Sequence, residues 1–372
     1  MANHSRIASD TDAALTFTLA EEIAAVPLAQ LQRAFGDLPA AYSAGAQALA
    51  GMVAPALLDF LFGPAARDAI ARERELADRL GVAILADGCE GYPQALAETA
   101  GRPAALYVRG DPAALAVANR VAIVGTRSAT PAGRATAERI AYDLAGAGCA
   151  VASGLAFGID AAAHQGAVDA QGVTIAVLAS GVDELTPRGN SRLAHRILDS
   201  GGAVVSEQRL GAPVHRSSFP RRNRVISGLC HGVVVVEAPE KSGALSTAAR
   251  ALEHDRQVMA VPGALDSRVA RGTNALIREG AHLVRDAADV LESLGLEVQT
   301  CARETADGQP EGVSWLLGML ENGPATLDDL AARLCGDKEL FGSKEPAELL
   351  CGLTELELLG LVRRDGARFV RA

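Results

Sequence analysis

Aromatic side chains are scarce in this sequence and make up only 3% of its 372 residues. A function that stacks rings on a ligand must therefore depend on very few side chains. Lysine is also scarce, with 3 residues against 32 arginines. Because the arginines are spread along the whole chain, arginine in place of lysine does not by itself mark a binding residue.

Long apolar runs and cysteine pairs are missing as well. No run reaches the roughly 18 to 20 apolar residues of a membrane-spanning helix, and the first residues lack the order of a signal peptide. The 6 cysteines lie far apart, with no CxxC pair and no histidine cluster beside them. We therefore expect a cytoplasmic protein with reduced thiols, no metal site and no membrane contact.

The net charge of −10 has an uneven distribution. Residues 1–110 and residues 301–372 each carry a formal charge of −5, whereas residues 111–300 hold 19 acids and 19 bases. The excess of acid lies only at the two ends, so the total charge does not exclude nucleic acid as a partner of the middle part.

The apolar pattern divides the chain into three parts. Residues 1–80 have helical periodicity, which predicts a small all-helical domain. Residues 81–296 contain short Val-, Ile- and Ala-rich runs that alternate with amphipathic helices from 121 onward, which predicts an α/β domain with a parallel sheet sandwiched by helices. A polar linker over 297–310 leads to residues 311–372, where three short helices and a hairpin predict a winged helix.

The loops after these apolar runs are the candidate sites, because ligands of open parallel sheets bind beyond the carboxyl ends of the strands. Gly125, Thr126, Arg127 and Ser128 follow the run VAIVG, and Gly133 opens the next helix. A helix N-terminus offers free N–H groups to an anion. The sequence has neither GxGxxG nor a Walker A motif, so the loop fits phosphate binding and plain strand-to-helix geometry equally well.

The loop after the run AVASG offers a second phosphate site. Ser153 and the Gly154 amide are candidate donors, although a tight turn explains the glycines as well. Asp160 is expected to cap the following helix. His164 has no partner nucleophile or metal ligand in the sequence, so we expect no catalytic role for it.

The segment FPRRNR is the most unusual stretch, because residues 211–229 hold four arginines and no acid. A solvated charged face is one interpretation. The interleaved ring and amide favour the other, a site for a polyanion whose bases stack. The candidate residues are Phe219, Arg221, Arg222, Asn223 and Arg224.

A further candidate anion site lies at Lys241, Ser242 and Gly243, which precede a predicted helix. Glu237 lies at the end of the preceding apolar run. The sequence leaves three interpretations of it open: a catalytic acid, a ribose ligand or a surface carboxylate.

These stretches, taken in order, resemble the DNA-processing protein A (DprA/Smf) family over about 85–290. The matches include IVGTR, SGLAFGID, TIAVLASGVD, FPRRNRVISGL, SGALSTA and GTNALIREGA. The resemblance implies a Rossmann-like, dimeric protein that binds single-stranded DNA in a basic pocket. Because the sequence has no Walker A motif and no convincing catalytic constellation, we expect no cofactor and no enzymatic activity. It also implies that the strand is passed to the recombinase RecA, past single-stranded-DNA-binding protein, in natural transformation. The helical N-terminus (SAM- or helix-hairpin-helix-like) and the winged helix resemble common accessories of the family.

Carried over by motif, the pocket of that family would contain Arg127, Ser153, Gly154, Arg222 and Arg224. Phe219 would be its stacking ring, and Lys241 would lie at its rim. Two positions depart from the family pattern, Phe157 where a basic residue is common and Thr186 where tyrosine is usual. Both are expected to change how bases pack.

Two other functions remain open. A nucleotide phosphoribohydrolase of the LOG type uses the same fold, but its motif requires two glycines and a glutamate soon after the threonine, whereas here the glutamate comes only at Glu253. The other alternative is a structural interaction protein whose nucleotide cleft is vestigial.

The third helix of the predicted winged helix (346–360) carries three glutamates and no base. This composition favours contact with protein over contact with duplex DNA.

Overall fold

The computed structural model describes residues 9–296 and, beyond them, residues 316, 320, 325–336, 349, 352, 353, 356, 362–365 and 368–371. The chain forms two compact units, Met1–Thr300 and Cys301–Ala372. No helix in the described ranges has both the length and the apolar character needed to cross a membrane.

Fourteen α-helices, two short 3-10 helices (Pro112–Ala116 and Arg188–Asn190) and nine strands form the described part of the first unit. The helices are α1 Asp10–Ala20, α2 Leu28–Phe35, α3 Leu38–Ala44, α4 Ala46–Leu49, α5 Pro55–Leu61, α6 Pro64–Leu80, α7 Gln94–Ala97, α8 Pro131–Gly146, α9 Ile159–Asp169, α10 Ser191–Asp199, α11 Ser218–Leu229, α12 Gly243–Glu253, α13 Arg271–Arg278 and α14 Ala287–Ser293. The strands are β1 Val82–Ala86, β2 Ala105–Gly110, β3 Arg120–Val124, β4 Ala150–Ser153, β5 Thr174–Val177, β6 Ala203–Ser206, β7 Gly232–Val235, β8 Gln257–Ala260 and β9 His282–Leu283.

The sheet is mostly parallel, with the strand order β1-β2-β6-β5-β4-β3-β7-β8-β9. The predicted parallel sheet is confirmed for most strands but not at one edge, where β1 pairs antiparallel with β2 and β2 antiparallel with β6. A parallel neighbour requires a crossover of a dozen or more residues, usually with a helix. The connection over residues 87–104 is long enough, but it holds only the single-turn helix α7 and no helix that could carry the chain back along the sheet, and β2 returns antiparallel beside β1.

Alternate residues of the buried strands enter two different cores. Ala122, Val124, Val233 and others pack under α11 and α12. Their neighbours, such as Ile123 and Val234, pack under α8, α9 and α14. Strands that are apolar on both faces therefore produce the helix–sheet–helix layers that the sequence predicts.

The helices before residue 81 share their cores with the sheet. Leu15 and Leu19 of α1 and Ile70 of α6 pack in one cluster with Tyr107 of β2. These helices belong to the same compact unit as the sheet, and a separate helical domain over 1–80 stays a prediction.

The second unit contains a helix over Leu327–Gly336 and a three-stranded antiparallel sheet. The strands β10 Ala325–Thr326, β11 Val362–Asp365 and β12 Arg368–Arg371 lie in the order β10-β12-β11. Most of the other predicted helices of this part, and the linker over 297–310, lie outside the described residues. The winged helix therefore stays a prediction.

Candidate nucleic-acid interface

A cavity of about 310 Å³ lies at the carboxyl edge of the parallel strands, where the sequence predicts a ligand. We call it the carboxyl-end cavity. It is lined by the loop after β3, the start of α9, one face of α11 and the start of α12. The lining residues are Val124, Gly125, Thr126, Arg127, Ala156, Asp160, Phe219, Arg222, Asn223, Ile226, Pro239, Lys241, Ser242, Gly243, Ala244 and Thr247.

Helix α11 presents every third or fourth residue to this cavity. Phe219, Arg222, Asn223 and Ile226 line it, and residues three or four apart lie on one face of a helix. The FPRRNR segment is therefore the first two turns of a helix, and its periodicity decides which of its cations face the ligand.

Arg127 and Phe219 contact each other in the wall of the carboxyl-end cavity. The guanidinium carbon of Arg127 lies 4.9 Å from the centre of the Phe219 ring, a cation–π contact. Arg127 and Lys241 are both exposed, and Phe219 is partly buried. Two exposed cations and a ring at one opening can hold a phosphate and a flat base together.

The start of α12 supplies the polar side of the cavity. The hydroxyl of Ser242 caps this helix by accepting the Ala244 N–H at 3.3 Å. Asn223 of α11 holds α12 in place, because its side-chain amide donates to the Ser246 hydroxyl at 3.0 Å. Thr247, one turn after Gly243, also lines the cavity. Thr247 was not among the residues predicted from the sequence, although helical spacing from Gly243 would have indicated it.

The Gly154 amide, expected to bind phosphate, is already engaged by Asp160. Its carboxylate accepts the Gly154 N–H at 3.1 Å, and the N–H groups of Ala156 and Gly125 donate to it as well. The prediction that Asp160 caps α9 is wrong, because it is the second residue of that helix and Gly158 holds the cap position. Burial raises the pKa of Asp160, while Arg222 and the three amides favour its charged form.

A second carboxylate occupies the N-terminus of α8. Glu237 accepts the Thr130 N–H at 2.9 Å and the Thr130 hydroxyl at 2.6 Å. A Cβ on Gly133 would lie 2.2 Å from the carboxyl carbon of Glu237, so this glycine makes room for the acid. The Thr126 N–H donates to the Glu237 carbonyl at 2.7 Å. Glu237 therefore occupies the N-terminus of α8, where a bound anion was one interpretation of the sequence.

Several predicted site residues lie outside the cavity. Ser153 is buried and donates its hydroxyl to the Ile123 carbonyl at 2.6 Å. Ser128 is exposed, and its N–H donates to the Thr126 hydroxyl at 3.3 Å. Gly154 lines a neighbouring cavity instead. Contacts with Ile123 and Asp160 hold Ser153 and Gly154 in these positions, and the local sequence pattern does not indicate these contacts.

Arg221 and Arg224 point away from the cavity toward acids. Arg221 donates to both carboxylate oxygens of Glu21, at 2.7 and 2.6 Å. Arg224 pairs with Glu207, whose side chain is 4% exposed, and also donates to the Gly101 carbonyl. Neither arginine lines the carboxyl-end cavity, so both are left out of the proposed site.

Arg222 lines the cavity but is buried, with 6% exposure. Its Nη1 donates to the Gly154 carbonyl at 2.6 Å and to the Val177 carbonyl at 2.7 Å. Burial lowers its pKa, and Asp160 opposes that shift. Arg222 therefore ties the ends of β4 and β5 together while adding positive potential to the cavity floor.

His164 lies behind this floor and is fully buried. Burial, and then the positive charge of Arg222, lower its pKa from 6.5 to about 3. Its Nδ1 lies 2.7 Å from the Thr174 hydroxyl, which itself donates to the Val151 carbonyl. The imidazole is therefore neutral at physiological pH and serves as part of the core.

The two positions that depart from the family pattern lie together beside the carboxyl-end cavity. Phe157 and Thr186 line an adjacent, largely apolar cavity of about 230 Å³, together with Pro187 and Val214. The two cavities share Arg127, Ala156, Phe219 and Arg222. Phe157 is 49% exposed, so it adds a second ring to this surface.

The fold and the cavity together define a Rossmann-like α/β protein whose carboxyl edge carries cations and a ring. Residues 83–295 match the DNA recombination-mediator protein A family. The chain is 39% identical to Protein Smf of Escherichia coli K12 over 284 residues, which is 76% of this chain and 75% of that protein. It is 38% identical to DNA processing protein DprA of Bacillus subtilis over 214 residues, 58% and 72% of the two chains. The chain therefore belongs to the DNA recombination-mediator protein A (DprA/Smf) family.

Two solved structures agree with this assignment. DprA from Streptococcus pneumoniae matches with a TM-score of 0.60 and 31% identity, over 76% of this chain and 92% of that one. DNA processing protein A from Helicobacter pylori matches with a TM-score of 0.52 and 28% identity, over 57% of this chain and 95% of that one. The structure of the latter concerns its single-stranded DNA binding mode.

Proposed function

We propose that this protein binds single-stranded DNA in the carboxyl-end cavity, with backbone phosphates on Arg127 and Lys241 and a base against Phe219. The observation that carries the proposal is the Arg127–Phe219 contact of 4.9 Å at the opening of the cavity. Every base can stack on an aromatic ring, and cations that bind the phosphates of the DNA backbone add affinity that does not depend on sequence. The DNA-binding relative from Helicobacter pylori supports the same ligand.

Equilibrium titration of the full chain with matched single- and double-stranded oligonucleotides tests this proposal. We expect tighter binding of the single strand, because only unpaired bases can reach Phe219, and an affinity that falls as salt rises. Equal affinity for both forms, or no binding at moderate salt, would contradict it.

The phosphoribohydrolase alternative has less support. Glu237 is engaged by Thr130, and Glu253 is exposed and paired with Arg250. The acid that lines the cavity, Asp160, accepts three backbone amides. We therefore expect no free base when the protein is incubated with nucleoside monophosphates. Release of base at a rate proportional to enzyme concentration would favour the hydrolase.

The family also suggests what happens to the bound strand. We propose that the protein acts in the cytoplasm as a homodimer that helps RecA replace single-stranded-DNA-binding protein in natural transformation. RecA filaments should then form faster on coated oligonucleotides when this protein is added. An unchanged rate would limit its role to DNA binding.

A further inference from the structure

A second and larger cavity lies at the opposite, amino edge of the sheet, and the proposed DNA site does not use it. We call it the amino-end cavity; its volume is about 560 Å³. Arg120 begins β3, His231 immediately precedes β7 and Arg256 immediately precedes β8. Because these three strands are neighbours and parallel, all three side chains converge on this cavity.

The arginines of this cavity are only partly engaged. Arg120 is 7% exposed; its Nε donates to the Leu229 carbonyl at 2.6 Å and its Nη1 to the Val117 carbonyl, while its Nη2 has no partner within the described part of the chain. Arg256 donates from Nη2 to the Ala95 carbonyl at 2.7 Å, and its buried Nε has no hydrogen-bond partner among the described residues. A guanidinium carries five N–H donors, so both side chains retain donors for a ligand.

His231 adds a neutral donor beside them. Its Nδ1 accepts the backbone N–H of Arg120 at 3.3 Å, so the proton of the neutral ring is on Nε2. Burial, and then Arg120, lower the pKa of His231. Burial, and to a lesser extent Arg256, also lower the pKa of Arg120. The positive groups therefore oppose one another, which an anion between them would relieve.

Acid is nearly missing from this cavity. Among its described lining residues only Glu98 carries a carboxylate, which lies 3.6 Å from Nη2 of Arg256 and is 58% exposed. Leu115 and Pro93 provide apolar surface on the cavity wall. The Tyr92 hydroxyl donates to the Pro103 carbonyl at 2.8 Å, so this residue offers mainly its ring.

We propose that the amino-end cavity binds the terminal phosphate of a phosphate monoester, held by Arg120, Arg256 and His231. Its volume is in the range of small-molecule sites, and its apolar walls would hold the organic part of the ligand. That phosphate belongs either to a free mononucleotide or to the 5′ end of a DNA strand.

Calorimetric titration of the full chain tests this site, with adenosine 5′-monophosphate and inorganic phosphate as probes. Both probes should bind, and Arg256→Gln should weaken binding about tenfold, the effect of losing one charge-assisted contact. Arg250→Gln is the matched control, because Arg250 lies on the exposed side of α12 and pairs with Glu253. Two results would overturn the proposal. One is no binding at ligand concentrations up to about 10 mM, because a specific site should have a dissociation constant below this value. The other is unchanged affinity in Arg256→Gln.

Two further variants keep the test decisive if Arg256→Gln fails to fold. Glu98→Gln removes the competing carboxylate and should tighten phosphate binding about threefold, which a folding defect cannot imitate; unchanged or weaker binding would overturn the proposal. Arg127→Ala should leave phosphate binding intact even if it abolishes DNA binding. Loss of phosphate binding in Arg127→Ala would place the anion in the carboxyl-end cavity and overturn the proposal.

Oligonucleotides with 5′-phosphate or 5′-hydroxyl ends then distinguish the two sources of the phosphate. If the ligand is a strand end, the phosphorylated oligonucleotide should bind more tightly than its hydroxyl twin, and Arg256→Gln should remove the difference. If the ligand is a free nucleotide, the two oligonucleotides should bind alike while adenosine monophosphate still responds to Arg256→Gln.

Discussion

Two faces of helix α11 carry arginines with opposite roles. On the cavity face, Arg222 lines the carboxyl-end cavity with Phe219 one turn before it. On the acid face, Arg221 and Arg224 pair with Glu21 and Glu207. The four side chains lie within six consecutive residues, yet only those of one face line the carboxyl-end cavity.

The comparison shows that arginine density in a sequence is not the same as available positive charge. Arg221 pairs with Glu21, 200 positions away in the sequence, and Arg224 pairs with Glu207, 17 positions away, so neither acid belongs to the local arginine-rich segment. For Arg221, burial opposes the shift, but Glu207 and Glu21 together raise its pKa. In the proposed site, the charge offered to DNA comes instead from Arg127 and Lys241, which line the carboxyl-end cavity from two different loops.

The largest effect that separates the two faces is expected for Arg224→Ala. Glu207 is 4% exposed and would lose its closest ion-pair partner, and breaking a buried pair costs about 3–5 kcal/mol of unfolding free energy. DNA affinity of the folded protein should stay within about threefold, a change below 1 kcal/mol. Urea unfolding and oligonucleotide titration measure the two quantities.

Arg221→Ala is the matched control for that prediction. Its side chain is 41% exposed, so its loss should cost no more than about 1 kcal/mol, as for a surface ion pair. Equal destabilisation by both variants, or a large loss of DNA affinity in folded Arg224→Ala, would break the distinction between the faces.

Phe219→Ala tests the cavity face. Base stacking is worth about 1–3 kcal/mol, which corresponds to a loss of about five- to a hundredfold in affinity. The dependence of affinity on salt should hardly change, because no charge is removed. If the variant instead melts far lower while its folded fraction binds normally, Phe219 is a core residue and not a stacking ring.

The buried imidazole of His164, whose pKa Arg222 helps to lower, gives a prediction for the dependence of stability on pH. The pKa of His164 is about 3 in the folded state against an ordinary value of 6.5, so the unfolded chain binds one more proton between these values. Its contribution to stability is present above pH 6.5 and is lost, by about 1.4 kcal/mol per pH unit, as pH falls toward 3.

Urea unfolding of the wild type and of His164→Gln at pH 7, 6 and 5 isolates this contribution. The stability of the wild type relative to the variant should decrease as pH falls. His195→Gln, which removes an exposed imidazole, is the control. A stability difference that does not change with pH would show that His164 is accessible to protons in the folded state.

The smallest effect is expected from removing the second compact unit. The sequence of the predicted helix 346–360 holds three glutamates and no base, so we predict contact with protein and not with duplex DNA. Deleting residues 301–372 should leave oligonucleotide affinity within about threefold, below 1 kcal/mol. Micromolar binding of duplex DNA by the isolated unit at physiological salt would contradict this prediction.

The sequence predicts the fold better than it predicts the site. Runs that are apolar on both faces, such as VAIVG and VVVVEA, indicate buried parallel strands without further information. The antiparallel edge was missed, because β1 and β2 have the same apolar composition as the parallel strands. Their direction depends on the connection over residues 87–104, which holds no crossover helix beyond the single turn of α7, and the apolar pattern of the strands does not show this.

Site residues could be predicted where the local segment alone decides their position. Arg127, Lys241 and Gly243 fall into this group, because each lies in a loop or at a helix start beyond a strand. Ser153 could not be assigned correctly, because its hydroxyl is satisfied by a carbonyl 30 positions away. The Gly154 amide was also expected to be a free donor, but in the folded chain it donates to Asp160.

The most direct test of DNA binding at the carboxyl-end cavity is the salt dependence of single-stranded DNA binding by Arg127→Ala, measured beside Arg196→Ala. Arg196 is an exposed arginine that pairs with Asp169 away from the cavity. Each phosphate contact that is lost should reduce the slope of log affinity against log salt by about 0.7. We predict a reduced slope and about ten- to a hundredfold weaker binding in Arg127→Ala, with Arg196→Ala like the wild type. Wild-type slope and affinity in Arg127→Ala would contradict a DNA site at this cavity.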